Sequence, residues 1–152
     1  MSRRRALRNV LLGAVLVGAA ALLAHLHVES QTYHPVVQLA SPDGLNFTAV
    51  LKETRDRSAC GAANERFLRP LKEQCKNCRV VMARCERNLD GLERALQDGK
   101  AIAHHVVVGP GLRMAISGPP QIAKWSCDYI AAEMTGKGVR RAACLPPAGG
   151  KS

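Results

Sequence analysis

A chain of 152 residues with a net charge of +10 has room for one compact domain once any membrane segment is set aside. Only five of its residues are Phe, Tyr or Trp, so a core must rest on Leu, Val, Ile and Ala and stays thin at roughly 25 cal/mol per Å² of apolar surface buried. The charge does not point to nucleic acid: no basic tract is interleaved with aromatics for stacking, and no Cys/His spacing matches a finger.

Arg3, Arg4, Arg5 and Arg8 precede residues 10–28, nineteen positions without a charged side chain. At about 1.5 Å rise per residue, that run spans the roughly 30 Å hydrocarbon core of a bilayer. Arginines on the amino side hold that end in the cytoplasm and direct the rest of the chain to the other side of the membrane. The expected organisation is a basic tip and uncleaved transmembrane signal-anchor over residues 1–29, an extracytoplasmic disulfide-bonded domain over 30–145 and a flexible tail over 146–152. Ala19-Ala20-Ala21 supplies the rival, a cleaved signal peptide and a secreted domain. Against it, Leu22, Leu23 and Leu26 continue the apolar run past any such site. His25 and His27 read as interfacial residues rather than metal ligands. Anchoring of this style suits a bacterial inner membrane, single-pass, with a periplasmic domain. Six cysteines in a short exported chain read as disulfides.

Ser30 to Tyr33 forms a polar spacer. Val36 to Leu39 then reads as a strand, Ser41-Pro42-Asp43-Gly44 as a tight turn and Leu45 to Leu51 as the second strand of a hairpin. Asp56 or Ser58 caps a helix whose Ala59, Ala63, Phe67 and Leu71 recur every four positions. Pro70 predicts a kink or a restart in it. Arg79 to Cys85 is a strand, and residues 88–98 a linking helix with Leu89, Leu92 and Leu96 on one side. The order then repeats: strand His105 to Val108, turn Gly109-Pro110-Gly111 and strand Leu112 to Ser117. Pro119 and Pro120 open a helix running to about Met134, and Val139 to Cys144 is the last strand.

The recurrence extends to details. Cys60 lies fifteen residues after Leu45, and Cys127 fifteen after Leu112. Each copy ends on Val-x4-Cys, at Val80 to Cys85 and at Val139 to Cys144, and His34 and His104 open the two copies. Two strand-strand-helix-strand units, about 34–86 and 104–145, predict a duplicated α+β domain of ferredoxin-like character, with a mixed sheet and helices on one face.

Rise arithmetic pairs the cysteines. If each helix lies antiparallel on the strand after it, the path from Cys60 to Cys75 descends about 22 Å and the path from Cys78 to Cys85 climbs about 23 Å. Cys60 and Cys85 then stand level. Cys127 and Cys144 come out level too, after a descent of roughly 10–12 Å and a return of about 16 Å. Cys75 and Cys78 remain together at a turn that the second copy lacks.

Cys75-x-x-Cys78 is the one feature with catalytic flavour, and it supplies the alternative function, a thiol–disulfide oxidoreductase. A thioredoxin-type pair comes after a strand and opens a helix. Here the helix precedes the pair and a strand comes after it, although Lys76 and Arg79 favour a thiolate. Haem attachment fails because Arg79, not histidine, comes directly after Cys78. Cys75, Cys78 and Cys85 give a third reading, a periplasmic metal-binding protein, without the second CxxC of a zinc site. His104 and His105 are adjacent on a strand and face opposite sides, so they do not chelate together. No nucleophile elbow, H-E-x-x-H or P-loop occurs, and no cofactor is implied. The expectation is a non-enzymatic accessory or binding protein of the bacterial cell envelope. Its contact with an envelope protein or an anionic polysaccharide runs through a basic surface of Arg66, Arg69, Lys72, Lys76 and Arg79.

Overall fold

The computed structural model describes residues 32–149. The expected anchor at residues 10–28 lies outside them, and among the described residues no helix is long and apolar enough to cross a membrane. The chain forms β1 (His34–Ala40), β2 (Asn46–Leu51), α1 (Arg57–Gln74), β3 (Arg79–Glu86) and α2 (Gly91–Gln97), then β4 (His105–Gly109), β5 (Leu112–Ser117), α3 (Pro120–Gly136) and β6 (Ala143–Leu145). Strand, strand, helix, strand therefore occurs twice, with α2 between.

Six strands make one sheet in the order β3-β1-β2-β5-β4-β6, and every neighbouring pair is antiparallel. The mixed sheet expected from the sequence does not form. β2 and β3 run parallel, but β1 lies between them, and β4 lies between β5 and β6 in the same way. Each long helix thus carries the chain across one intervening strand, a split β-α-β connection. The halves meet where β2 pairs with β5. Thr48 faces Ala115 there, and the offset that carries Leu45 to Leu112 carries Thr48 onto that same partner. An approximate two-fold axis passes through the pair.

Alternation decides which face each side chain takes. Val37, Leu39, Ala49, Leu51, Val107, Met114 and Ile116 share one face with Leu68 of α1 and with Ala123 and Cys127 of α3. Val36, Val50, Val106 and Ala115 share the other with Leu89, Leu92 and Leu96. Helices therefore cover both faces, not one. Adjacent buried residues such as Val36-Val37 and Val106-Val107 leave the sheet apolar on both sides, and the leucine side of α2 is what closes the second.

Local chemistry sets the ends of the helices. The Asp56 Oδ1 accepts the Ala59 amide at 2.7 Å and caps α1. α1 continues through Pro70 as one helix, so the restart expected there does not occur. Pro70 removes the donor for the Arg66 carbonyl, and both residues are exposed, so water can take that bond. Between β5 and α3, Gly118 sits at φ 140°, and a Cβ there would lie 2.8 Å from the Gly44 carbonyl oxygen. Glycine alone lets the first hairpin turn approach so closely. Arg84 of β3 donates to both carboxylate oxygens of the buried Glu93 on α2, at 2.7 and 2.8 Å, and pairs with Glu86 at 2.9 Å. The hydrogen bond to Glu93 holds the Arg84 guanidinium above its ordinary pKa, against the opposing effect of burial.

Three disulfides join Cys60 to Cys85, Cys75 to Cys78 and Cys127 to Cys144. The two long-range pairs are those that the rise arithmetic brings level, with Cα atoms 6.0 and 5.4 Å apart. The matched spacing is not a matched position, however. Residues 52–56 join β2 to α1, whereas only Gly118 and Pro119 join β5 to α3. Cys60 consequently lies in the first turn of its helix and Cys127 near the middle of its own. Cys85 faces Pro35 near the start of β1, while Cys144 faces Val107 in the middle of β4. The last strand is also shorter than expected, Ala143–Leu145 instead of residues 139–144. α3 runs on to Gly136, and the chain then turns through Arg141, which has φ 64°.

Candidate binding groove

α1 lies over β1 and β3, and α3 over β4, β5 and β6. The helices stand on the same sheet face with a gap between them over part of β5. The result is a groove of about 790 Å³. Leu112 and Met114 of β5 form its floor, Phe67, Pro70 and Leu71 of α1 one wall, and Tyr129, Ile130 and Met134 of α3 the other. The positions that recur every four residues along α1, Ala59, Ala63, Phe67 and Leu71, are all half-exposed, and Phe67 and Leu71 line the opening. The buried register is one residue over, at Cys60, Asn64 and Leu68.

Leu71, Met114 and Ile130 also border a second hollow of about 230 Å³. Its remaining lining includes Leu39, Leu45, Phe47, Cys75 and Cys78. The Cys75–Cys78 disulfide therefore borders that end of the trough. The Cys75 amide donates to the Leu71 carbonyl at 2.8 Å and the Cys78 amide to the Cys75 carbonyl at 3.1 Å, which fixes the turn after α1. Cys75 is the C-cap residue of α1. The negative end of the helix dipole points at it and disfavours a thiolate there, the reverse of a helix N-terminus.

The two walls differ in charge. On α3, Lys124 pairs with Asp128 at 2.7 Å and Lys137 with Glu133 at 3.6 Å. Arg66, Arg69, Lys72, Lys76 and Arg79 are all exposed, and among the described residues none of them makes an ion pair. Arg66 borders the groove, while Arg69 and Lys72 line a separate depression together with Glu65 and Glu73. Lys76 and Arg79 flank the Cys78 turn. The five cations expected as one surface are thus spread along α1 and past its end, and one of them touches the groove.

α3 adds an aromatic stripe. Ile122, Trp125 and Tyr129 are exposed, Trp125 by 66% and Tyr129 by 53%, and the two rings stack with centroids 5.3 Å apart. Tyr129 also lines the groove, so the stripe continues it over the outside of α3. Neither feature is named by a motif. The spacing 122-125-129 was the available signal, three large apolar residues at helical intervals on a helix whose buried positions are Ala123, Ser126, Cys127 and Ala131.

Cys75, Cys78 and Cys85 do not gather as a metal site, because Cys85 is bonded to Cys60 on another element. The ring nitrogen Nδ1 of His105 is buried without a partner. Compared with known proteins, the chain matches no family model, no curated protein and no solved structure, so its sites are read from their own chemistry.

Proposed function

We propose that the protein is a membrane-anchored, non-enzymatic binding module of the bacterial cell envelope, built by duplication of one strand-strand-helix-strand unit. Its anchor is residues 10–28 and its domain is periplasmic. The observation that carries the binding role is the apolar groove between α1 and α3, with Arg66, unpaired among the described residues, at the edge of one wall and the paired Glu133 and Lys137 at the other. Its partner is an envelope protein that lays a segment with apolar side chains along one edge, and acidic ones along the other, into that groove. Apolar walls favour such a segment over an anionic polysaccharide, which offers little apolar surface to bury. The oxidoreductase reading is the weaker one, because Cys75 stands at the wrong end of its helix for thiolate stabilisation.

Trp125 is the only tryptophan in the chain, and it stacks on a residue of the groove wall. Its fluorescence therefore reports occupancy. Peptides alternating Leu and Glu, titrated into the full chain in detergent, are expected to give a saturable spectral shift that Ile130→Asp abolishes. Saturation by a polyuronate instead of the peptide would transfer the role to glycan binding. Silence from both, with the fold intact by circular dichroism, would overturn the groove as a binding site. A Cys75→Ala variant that loses its function in cells while retaining peptide binding would promote the redox reading.

A further inference from the structure

His105 begins β4 two residues before Val107, and Val107 faces Cys144 across the β4–β6 ladder. Side chains two apart share a face, so His105 and Cys144 are diagonal neighbours on the side that α3 covers. α3 brings Cys127 to the same point. One ligand atom from each of the three residues lies within 4.8 Å of the other two. Among the described residues, no other group of three His, Cys, Asp or Glu side chains meets that condition.

A second observation comes from the histidine itself. Its Nδ1 is buried and has no hydrogen-bond partner. A buried polar atom left so costs desolvation with nothing returned, and such atoms are rare enough to need a reason. A hollow of about 140 Å³ adjoins this position, bordered by His104, His105, Ser117 and Ala123. It leaves open space beside the imidazole on the side away from the two cysteines.

We propose that His105, Cys127 and Cys144 form a disulfide-gated metal site that takes a thiophilic d10 cation, Zn²⁺ or Cu⁺, when the Cys127–Cys144 bond is reduced. Reduction takes two electrons and two protons from a dithiol, which becomes a disulfide, and leaves two thiols. Each thiol gives up its proton as its sulfur binds the ion, and neutral His105 supplies a ring lone pair. With zinc a water completes the tetrahedron, since three protein ligands leave one position open. Zn–S bonds of about 2.3 Å in a tetrahedron place the sulfurs roughly 3.8 Å apart. Side-chain rotation provides that separation from Cα atoms 5.4 Å apart. The ion then ties α3 to β6 as the disulfide does, so the two occupants of the site exclude each other but hold the same elements together. This site lies apart from the groove and does not depend on its reading.

The test uses the full chain in detergent, with Cys75→Ser and Cys78→Ser to remove the neighbouring CxxC pair, and Co²⁺ as a spectroscopic probe. A phosphine reduces the remaining disulfides and is itself oxidised to the phosphine oxide with water. The expected result is one Co²⁺ per reduced chain, with tetrahedral d–d bands and a thiolate charge-transfer band, and none per oxidised chain. His105→Leu in the same background is expected to weaken binding by more than about 100-fold, beyond the cost of losing a supporting shell. Zn²⁺ is expected to raise the Tm of the reduced parent and not of the variant. If reduction unfolds the chain, Zn²⁺ restoring the folded circular dichroism spectrum only when His105 is present supports the site. Equal Co²⁺ affinity in parent and variant, no binding after reduction, or binding without refolding overturns it.

Discussion

The two halves of the domain share an order of elements and differ in nearly every detail that holds the order in place. The first half closes on an eight-residue strand, β3, the second on a three-residue strand, β6. One disulfide ties the first turn of α1 to the sheet near the start of β1, and the other ties the middle of α3 to the middle of β4's ladder. α1 starts on a hydrogen-bonded aspartate cap and α3 on a proline. Order and central pairing thus specify this architecture, while the staple can slide along it. The requirement is only that the helical descent and the strand return leave the two sulfurs level. The link shorter by three residues, with β5 ending one position earlier in the repeat, sets Cys127 four residues deeper into its helix than Cys60, and the site of bonding on the sheet moves with it.

Removing the staples sharpens this most. In the chain-entropy account, closing 25 residues is worth about 3.5 kcal/mol and closing 17 about 3 kcal/mol. Cys60→Ala with Cys85→Ala is therefore expected to lower unfolding free energy slightly more than Cys127→Ala with Cys144→Ala, by urea titration. Hydrogen exchange should invert the order locally. β3 keeps a long ladder to β1 without its disulfide, whereas β6 has three paired positions and should lose protection far below the global value. Equal protection of β6 with and without Cys127–Cys144 would show that the second half does not depend on its staple.

The next effect separates the halves electrostatically. Arg84 and the buried Glu93 tie the end of the first half to α2, and no ion pair among the described residues does this for the second. Arg84→Met leaves a carboxylate buried without its partner, a change that costs roughly 3 kcal/mol for fully buried pairs. Arg84 keeps a third of its side chain in water, so about 2 kcal/mol is the expected loss. Arg84→Met with Glu93→Leu should recover most of it. Failure of the double variant to recover would assign the loss to packing of the arginine stem on the sheet.

Much of this was legible in the chain because the signals were periodic or arithmetical. β5 comes from the alternation of Leu112 to Ser117, and the long disulfides from rises per residue. What escaped needed contacts between distant segments. The all-antiparallel sheet depends on β1 and β4 separating the parallel strands, which no local pattern states. The span of α1 through Pro70 depends on that residue facing water. The groove exists because α1 and α3 stand apart over the sheet, so Phe67 and Leu71 look like core positions in sequence and become walls in the fold. His105, Cys127 and Cys144 come together only through the β4–β6 register and the seat of α3.

The Cys75–Cys78 disulfide has no counterpart in the second half and closes the shortest loop, a separation of three residues, worth about 1.6 kcal/mol. Cys75→Ser with Cys78→Ser is expected to cost about that much and to loosen the narrow end of the groove. The same Leu-Glu peptides should then bind more weakly to the variant while the Trp125 response keeps its amplitude. An unchanged affinity would place the peptide wholly in the wider part, between Phe67 and Met134.

The smallest effect distinguishes how the long helices begin. Asp56→Ala removes the bond to the Ala59 amide and is expected to cost about 1 kcal/mol. Pro120→Ala, at a position where proline is favoured mainly because its missing N–H would have gone unpaired anyway, should change stability by no more than about 0.5 kcal/mol. The proline also stiffens the unfolded chain, so its loss should appear as a small drop in stability without a change in native-state exchange at the start of α3. If Pro120→Ala instead costs as much as Asp56→Ala, then the proline sets the angle at which α3 leaves Gly118, and with it the width of the groove. That outcome would appear in the same titrations as a weaker peptide affinity, which a purely unfolded-state effect would not produce.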